Sequence, residues 1–161
     1  TSHMTDTSDI LRRADLEARG ITGWTFGLED RVRFYELDAL NHVNNNAYLR
    51  WFEILRVRYF IDYGLSAYSH KAPDPQLVVR HQNADFLAPM TLHQRFTIVG
   101  RMQVLKPTSF TLGCAIYCEG TLCAKGQTVM ISLEQDGKTR RAHNPEAVAT
   151  ILERDAPEVQ D

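Results

Sequence analysis

The stretch from Asn45 to Tyr63 constrains this chain most. Tyr48, Phe52, Leu55, Tyr59 and Tyr63 recur at spacings of four, three, four and four, so they share one helical face; Leu49, Trp51 and Phe60 widen it. Asparagines precede the segment and Gly64 follows it, as helix ends favour. A face this large and aromatic predicts a central, buried helix. Such a helix needs a broad apolar surface to cover it, and the rest of the chain supplies one in strands.

Ser109–Cys118 alternates best, with Phe110, Leu112, Cys114, Ile116 and Cys118 on one parity. Phe26–Leu37, Gln76–Phe86, Thr91–Leu105 and Thr121–Leu133 also read as strands, and Glu119-Gly120 as a two-residue hairpin turn. Leu28, Val32 and Phe34 share a parity in the first of them. A short helix is expected over Asp9–Arg19, capped by Ser8 and ended by Gly20. Another runs from Pro145 to about Arg154, capped by Asn144. One strand, a long helix, then four strands implies an α+β fold, with an antiparallel sheet of about five strands wrapped around the central helix.

Length and charge narrow the functions. The 161 residues suit one domain, and 18 Lys+Arg against 20 Asp+Glu leave a net charge of −2. There is no basic tract, which argues against nucleic-acid binding, and no run of the ~20 apolar residues that a membrane span needs. No secretory signal is recognisable, and Thr1-Ser2-His3-Met4 reads as a cloning scar. Three cysteines without a CxxC pair argue against a disulfide framework or zinc site and suit a cytoplasmic protein. His70, His81, His93 and His143 lack metal-ligand spacing and read as surface or sheet residues; the Arg12-Arg13 pair reads as solvated.

The chemistry concentrates between Asp38 and Glu53. Asp38 stands seven residues ahead of Asn45, at the start of the long helix. The first turn of a helix offers unpaired backbone N–H groups and the positive end of a dipole, which suit a developing oxyanion. A nearby carboxylate serves as general base or nucleophile. These are the minimum parts for hydrolysing an activated acyl group.

Phe34-Tyr35-Glu36-Leu37-Asp38 followed by His42-Val43-Asn44-Asn45-Asn46-Ala47-Tyr48-Leu49-Arg50-Trp51-Phe52-Glu53 resembles the signature of hotdog-fold thioesterases. The branch it resembles is the 4-hydroxybenzoyl-CoA thioesterase-like group of acyl-CoA and acyl-carrier-protein thioesterases. The likeness extends over about residues 24 to 153, through Ala84-Asp85-Phe86-Leu87-Ala88-Pro89, Gly120 to Val129 and Asn144-Pro145-Glu146. It implies a single hotdog domain over 24–154, after an extension over 5–23 and before a tail over 155–161.

The resemblance also implies site roles. Asp38 would be the catalytic carboxylate and the Asn45 backbone N–H the oxyanion donor. His42 matches a family histidine and is expected to support the loop from behind. Leu40 stands where the acyl-carrier-protein branch has an Asn, and Met90-Thr91-Leu92 lacks a customary Gly-Asp. Tyr48, Tyr59, His81 and Asn83 are the candidates for the substrate cleft; His81 and Asn83 share strand parity. Glu53 is a possible base or a buried partner for Arg56. The implied substrate is an acyl-CoA, with no metal or redox cofactor, and the implied assembly is a homodimer or homotetramer. The alternatives are a non-catalytic acyl-CoA-binding module, a hydrolase of acyl-carrier protein, or an acyl-CoA dehydratase.

Overall fold

The computed structural model describes residues 7–69, 71 and 73–161. The cloning-scar reading of residues 1–4 and the surface reading of His70 lie outside the described residues.

Five long strands and two of two residues form one sheet around a central helix. In chain order the elements are β1 (Leu11–Arg12), α1 (Arg13–Ala18), β2 (Phe26–Arg31), a 3-10 turn (Phe34–Glu36), α2 (Asn45–Tyr63), β3 (Gln76–Phe86), β4 (Arg95–Leu105), β5 (Ser109–Cys118), β6 (Thr121–Leu133), α3 (Pro145–Asp155) and β7 (Glu158–Val159). The sheet order is β1-β2-β4-β5-β6-β3, antiparallel throughout, with β7 added in parallel to β4. This is the hotdog arrangement. Among the described residues, no helix is long and apolar enough to cross a membrane.

Helix α2 has the predicted bounds. Asn44 caps it by accepting from the Ala47 N–H (2.9 Å), and Gly64 ends it with a left-handed φ of 83°. Trp51, Leu55, Tyr59, Phe60 and Tyr63 are each at most 2% exposed. The helix lies close on the sheet because β4 carries Gly100 at the crossing: a Cβ there would sit 2.6 Å from the Leu55 Cδ2. Glu119 and Gly120 both have positive φ, as a two-residue hairpin turn requires.

Several elements depart from expectation. The first helix is only Arg13–Ala18, because Leu11 and Arg12 pair with Gly27 and Phe26. Leu16 and Ile21 then cover Val99 and Ala115 on the outer sheet face. Arg12 is not simply solvated: its guanidinium donates twice to Asp62 on α2 (2.5 and 3.0 Å). The first long strand stops at Arg31 rather than Leu37, so Phe34 is 80% exposed despite sharing parity with the buried Val32. The strand expected from Thr91 begins at Arg95. His143 is buried, with Nε2 3.2 Å from the Ser109 carbonyl, and burial lowers its pKa.

The C-terminal helix is fastened to α2 through Asp155, which is fully buried. Its carboxylate accepts from the Tyr59 hydroxyl (2.5 Å), the Tyr63 hydroxyl (2.8 Å) and the Met102 N–H (2.7 Å).

Candidate active site

The Asp38 loop is a closed turn. Leu37 and Val43 bridge across its base, and the Asp38 N–H donates to the His42 carbonyl (2.8 Å). The Asp38 side chain completes it: Oδ1 accepts from the Leu40 N–H (2.8 Å) and the His42 N–H (3.2 Å). Asn41 takes the left-handed conformation, φ 60°, which asparagine tolerates well. Asp38 is exposed, and its Oδ2 has no hydrogen-bond partner among the described residues. One carboxylate oxygen is thus spent on the loop and the other is open to a substrate or water.

The helix start beside this loop keeps donors of its own. The cap takes the Ala47 N–H and leaves the N–H groups of Asn45 and Asn46 without intrahelical acceptors, as helix geometry dictates. Both residues are exposed. The dipole adds partial positive charge at the same end.

Glu36 joins loop and helix, and sequence reasoning gave it no role. It is 3% exposed, at the end of the 3-10 turn. Its Oε1 accepts from the Arg33 N–H (2.8 Å) and its Oε2 from the Trp51 indole N–H (2.8 Å) on α2. Its carbonyl accepts both from the Asn44 N–H (2.9 Å) and from the Asn44 Nδ2 (2.8 Å). The carboxylate and carbonyl of one residue therefore set the loop against the helix cap. Glu36 stands within the motif, but neither its burial nor its pairing with Trp51, fifteen residues on, is marked there. From the far side the Val43 N–H donates to the Met90 carbonyl (2.9 Å).

The other expected residues scatter. His42 is half-buried and serves the loop through its backbone. Tyr48 lies just inside the helix start, its ring 5.3 Å from that of the half-exposed Phe86. Burial pushes its hydroxyl up to about 12, with Cys123 and Cys118 adding to the shift. Tyr59 belongs to the core, fully buried and bonded to Asp155, so it lines no open cleft of this chain.

His81 and Asn83 are turned to the outer sheet face. The β3 register shifts between Val79 and His81, which places Gln82 opposite the buried Thr128 and Ala84 against the core. Asn83 instead lines an outer concavity of about 360 Å³ with Trp24, Gln103 and Gln127. Glu53 is largely exposed and stands 3.9 Å from Arg56, which is the buried member of the pair. Among the described residues no group of three or more His, Cys, Asp or Glu is placed to hold a metal.

Comparison with known proteins adds four findings. Residues 32–152 match the family model described as the thioesterase-like superfamily. A solved thioesterase-superfamily structure from Jannaschia sp. CCS1 is 33% identical, covers 95% of this chain and 98% of its own, and superposes with a TM-score of 0.89. A Thermus thermophilus thioesterase, solved with coenzyme A and Zn, is 30% identical over 81% of this chain and 98% of its own, with a TM-score of 0.66. The uncharacterised Bacillus subtilis protein YsmA is 25% identical over 81% of this chain and 88% of its own.

Proposed function

Because this chain belongs to the thioesterase-like superfamily, we propose that it hydrolyses an acyl-CoA thioester to the free acid and CoA. Asp38 acts as general base or nucleophile, and the Asn45 N–H holds the oxyanion. One observation carries the reading: a carboxylate with a free oxygen, braced by two backbone N–H groups, beside a helix start with two open donors. The CoA bound to the Thermus thermophilus relative supports the substrate class.

In the general-base route Asp38 takes a proton from water as the hydroxide oxygen attacks the carbonyl carbon. The tetrahedral oxyanion collapses, the C–S bond breaks, and the thiolate leaves with the proton returned through Asp38 or solvent. In the nucleophilic route the Asp38 oxygen displaces the thiolate to form a mixed anhydride, which water then opens. Neither route calls for a metal or redox cofactor, because a thioester is already activated.

The site is completed by a second copy in this reading. Asp38, Leu40 and Asn45 are exposed on a single chain. β3 ends the sheet, with one edge unpaired among the described residues, and carries the exposed Val79 and Phe86, with Leu87 just beyond. A homodimer or homotetramer covers this surface, and a monomeric mass in light scattering at micromolar concentration contradicts it.

The test is free-thiol release from short, long and aromatic acyl-CoAs, with wild type beside Asp38→Asn. Loss of a general base lowers turnover by roughly 10²–10⁴-fold. Full activity in the variant removes Asp38 from the mechanism; binding without turnover in wild type favours a CoA-binding module. In a single turnover in ¹⁸O-water, label enters Asp38 only when an anhydride forms and water opens it at the Asp38 carbonyl, so a labelled Asp38 establishes the nucleophilic route.

A further inference from the structure

Arg56 is a buried cation without adequate partners. It sits on α2 at 5% exposure, and its Nη1 has neither accessible surface nor a hydrogen-bond partner among the described residues. Its one ion pair among them runs from Nη2 to Glu53 Oε2 at 3.9 Å, and the Glu53 side chain is 69% exposed. A contact that long to a solvated carboxylate leaves the guanidinium poorly compensated, whereas buried charges are ordinarily paired and hydrogen-bonded.

A second observation lies next to it. Tyr68 is half-buried against the same core and lies within electrostatic range of both Arg56 and Glu53. It holds a left-handed φ of 57°, uncommon for a bulky residue. The backbone around it is anchored: the Ser66 Oγ accepts from the Tyr68 N–H (3.0 Å), and Asp74 accepts from the N–H groups of Ala67 (3.0 Å) and Ser69 (2.9 Å). Strain held by surrounding bonds recurs at ligand sites. The arrangement sets a phenol beside an under-satisfied guanidinium at the flank of the helix whose first turn carries the candidate site.

From these contacts we infer that Arg56, with Tyr68 beside it, receives a carboxylate at the far end of the acyl group, making a ω-carboxyacyl-CoA the substrate class. The inference rests on the thioesterase reading for the position of the thioester. Arg56 lies eleven residues beyond Asn45, about 16 Å along the axis. Helical side chains lean toward the N-terminus, which brings the guanidinium back toward roughly two turns from the helix start, about 11 Å. The acceptor therefore belongs remote from the thioester carbon, not on the carbons next to it. A buried guanidinium whose Nη1 has no hydrogen-bond partner among the described residues suits a carboxylate, the anion that arginine pairs with most strongly. A wholly hydrocarbon chain at this place leaves the donors unmet.

The experiment measures binding, so it is independent of turnover. Titration calorimetry compares two non-hydrolysable thioethers of equal carbon count, S-octyl-CoA and S-(7-carboxyheptyl)-CoA, on the full chain. Wild type binds the carboxylate analogue at least tenfold more tightly. In Arg56→Met the ratio of the two affinities falls to one or below, and Arg56→Lys retains an intermediate ratio. Thermal midpoints of each variant report whether it folds. Should Arg56→Met fail to fold, the wild-type ratio and Arg56→Lys still decide.

A wild-type ratio near one overturns the inference, as does an unchanged ratio in Arg56→Met. Dissociation of the oligomer in Arg56→Met with the ratio preserved overturns it too, and assigns the guanidinium to the subunit contact. Failure of every acyl-CoA to turn over, with the affinity ratio intact, removes the hydrolysis reading alone.

Discussion

Replacing Glu36 by Gln isolates what holds the Asp38 loop. The carboxylate accepts two hydrogen bonds at 2.8 Å, from the Arg33 N–H and the Trp51 indole N–H, at 3% exposure. Glutamine keeps the shape but presents one acceptor and one amide donor, so one of the two N–H groups faces another donor. Hydrogen bonds to a charged group contribute about 1.5–3 kcal/mol. In a chain of this size 1 kcal/mol moves the melting midpoint about 2–4 °C, so Glu36→Gln is expected to lower Tm by about 3–12 °C. Glu36 touches no reacting atom, yet its carbonyl holds the Asn44 cap. Displacing that cap misaligns the loop and the helix donors, with a loss in kcat of roughly 10–100-fold and little change in KM. Differential scanning calorimetry and thiol-release kinetics read the two effects. Trp51→Phe closes a double-mutant cycle: the coupling between positions 36 and 51 exceeds about 1 kcal/mol. Additivity within about 0.5 kcal/mol, or a Glu36→Gln protein with unchanged Tm, refutes the reasoning.

Three further outcomes follow from the core. Asp155→Ala strands the Tyr59 hydroxyl and the Met102 N–H in the interior and leaves the Tyr63 hydroxyl only Thr25 Oγ1 at 3.4 Å; each unmet group costs about 1–3 kcal/mol, so urea melts show at least about 2 kcal/mol of lost stability. Gly100→Val drives a branched side chain into Leu55, already 2.6 Å from a bare Cβ, and overpacking of this kind costs about 1–3 kcal/mol by the same assay. Burial raises the thiol of Cys114 to about 12 and that of Cys118 to about 11. Their folded values exceed the unfolded thiol value near 8.5, so the stability they contribute is complete below about pH 8.5 and is lost as pH rises toward 11–12. Urea midpoints fall between pH 7.5 and 10.5, and Cys118→Ser reduces that fall.

Periodicity and end signals carried most of the fold. Nineteen residues of α2 with Asn44 and Gly64 at its ends were readable because spacing, capping and conformational freedom agree there. The strands β3, β5 and β6 were equally plain, since apolar runs broken at Pro and Gly have few other outcomes. The errors arise where a distant contact decides. Leu11 and Arg12 leave the helix only because β2 offers them a pairing edge. The shift at Arg80 reverses the faces of His81 and Asn83, and a one-residue bulge leaves no mark in alternation. Tyr59 sits on the same helical face as Tyr48 but is closed off by Asp155, ninety-six residues later.

The same division between local and distant runs through the site. Asp38 and the helix start were legible together because both belong to one short segment whose turn chemistry is local. Glu36 was hidden because its second partner lies a helical stretch away, and Arg56 because burial, not residue type, makes its charge notable. Asn44 links the two levels. Its Oδ1 takes the Ala47 N–H while its Nδ2 holds the Glu36 carbonyl, so one side chain both caps the helix and ties it to the loop. Had a charged Asp stood there, the cap would survive but the donor to Glu36 would be gone. Among the favoured capping residues, asparagine alone carries its acceptor and its donor on separate atoms. That is a physical reason for an Asn at this position, and it keeps the Asn45 and Asn46 donors open beside the free oxygen of Asp38.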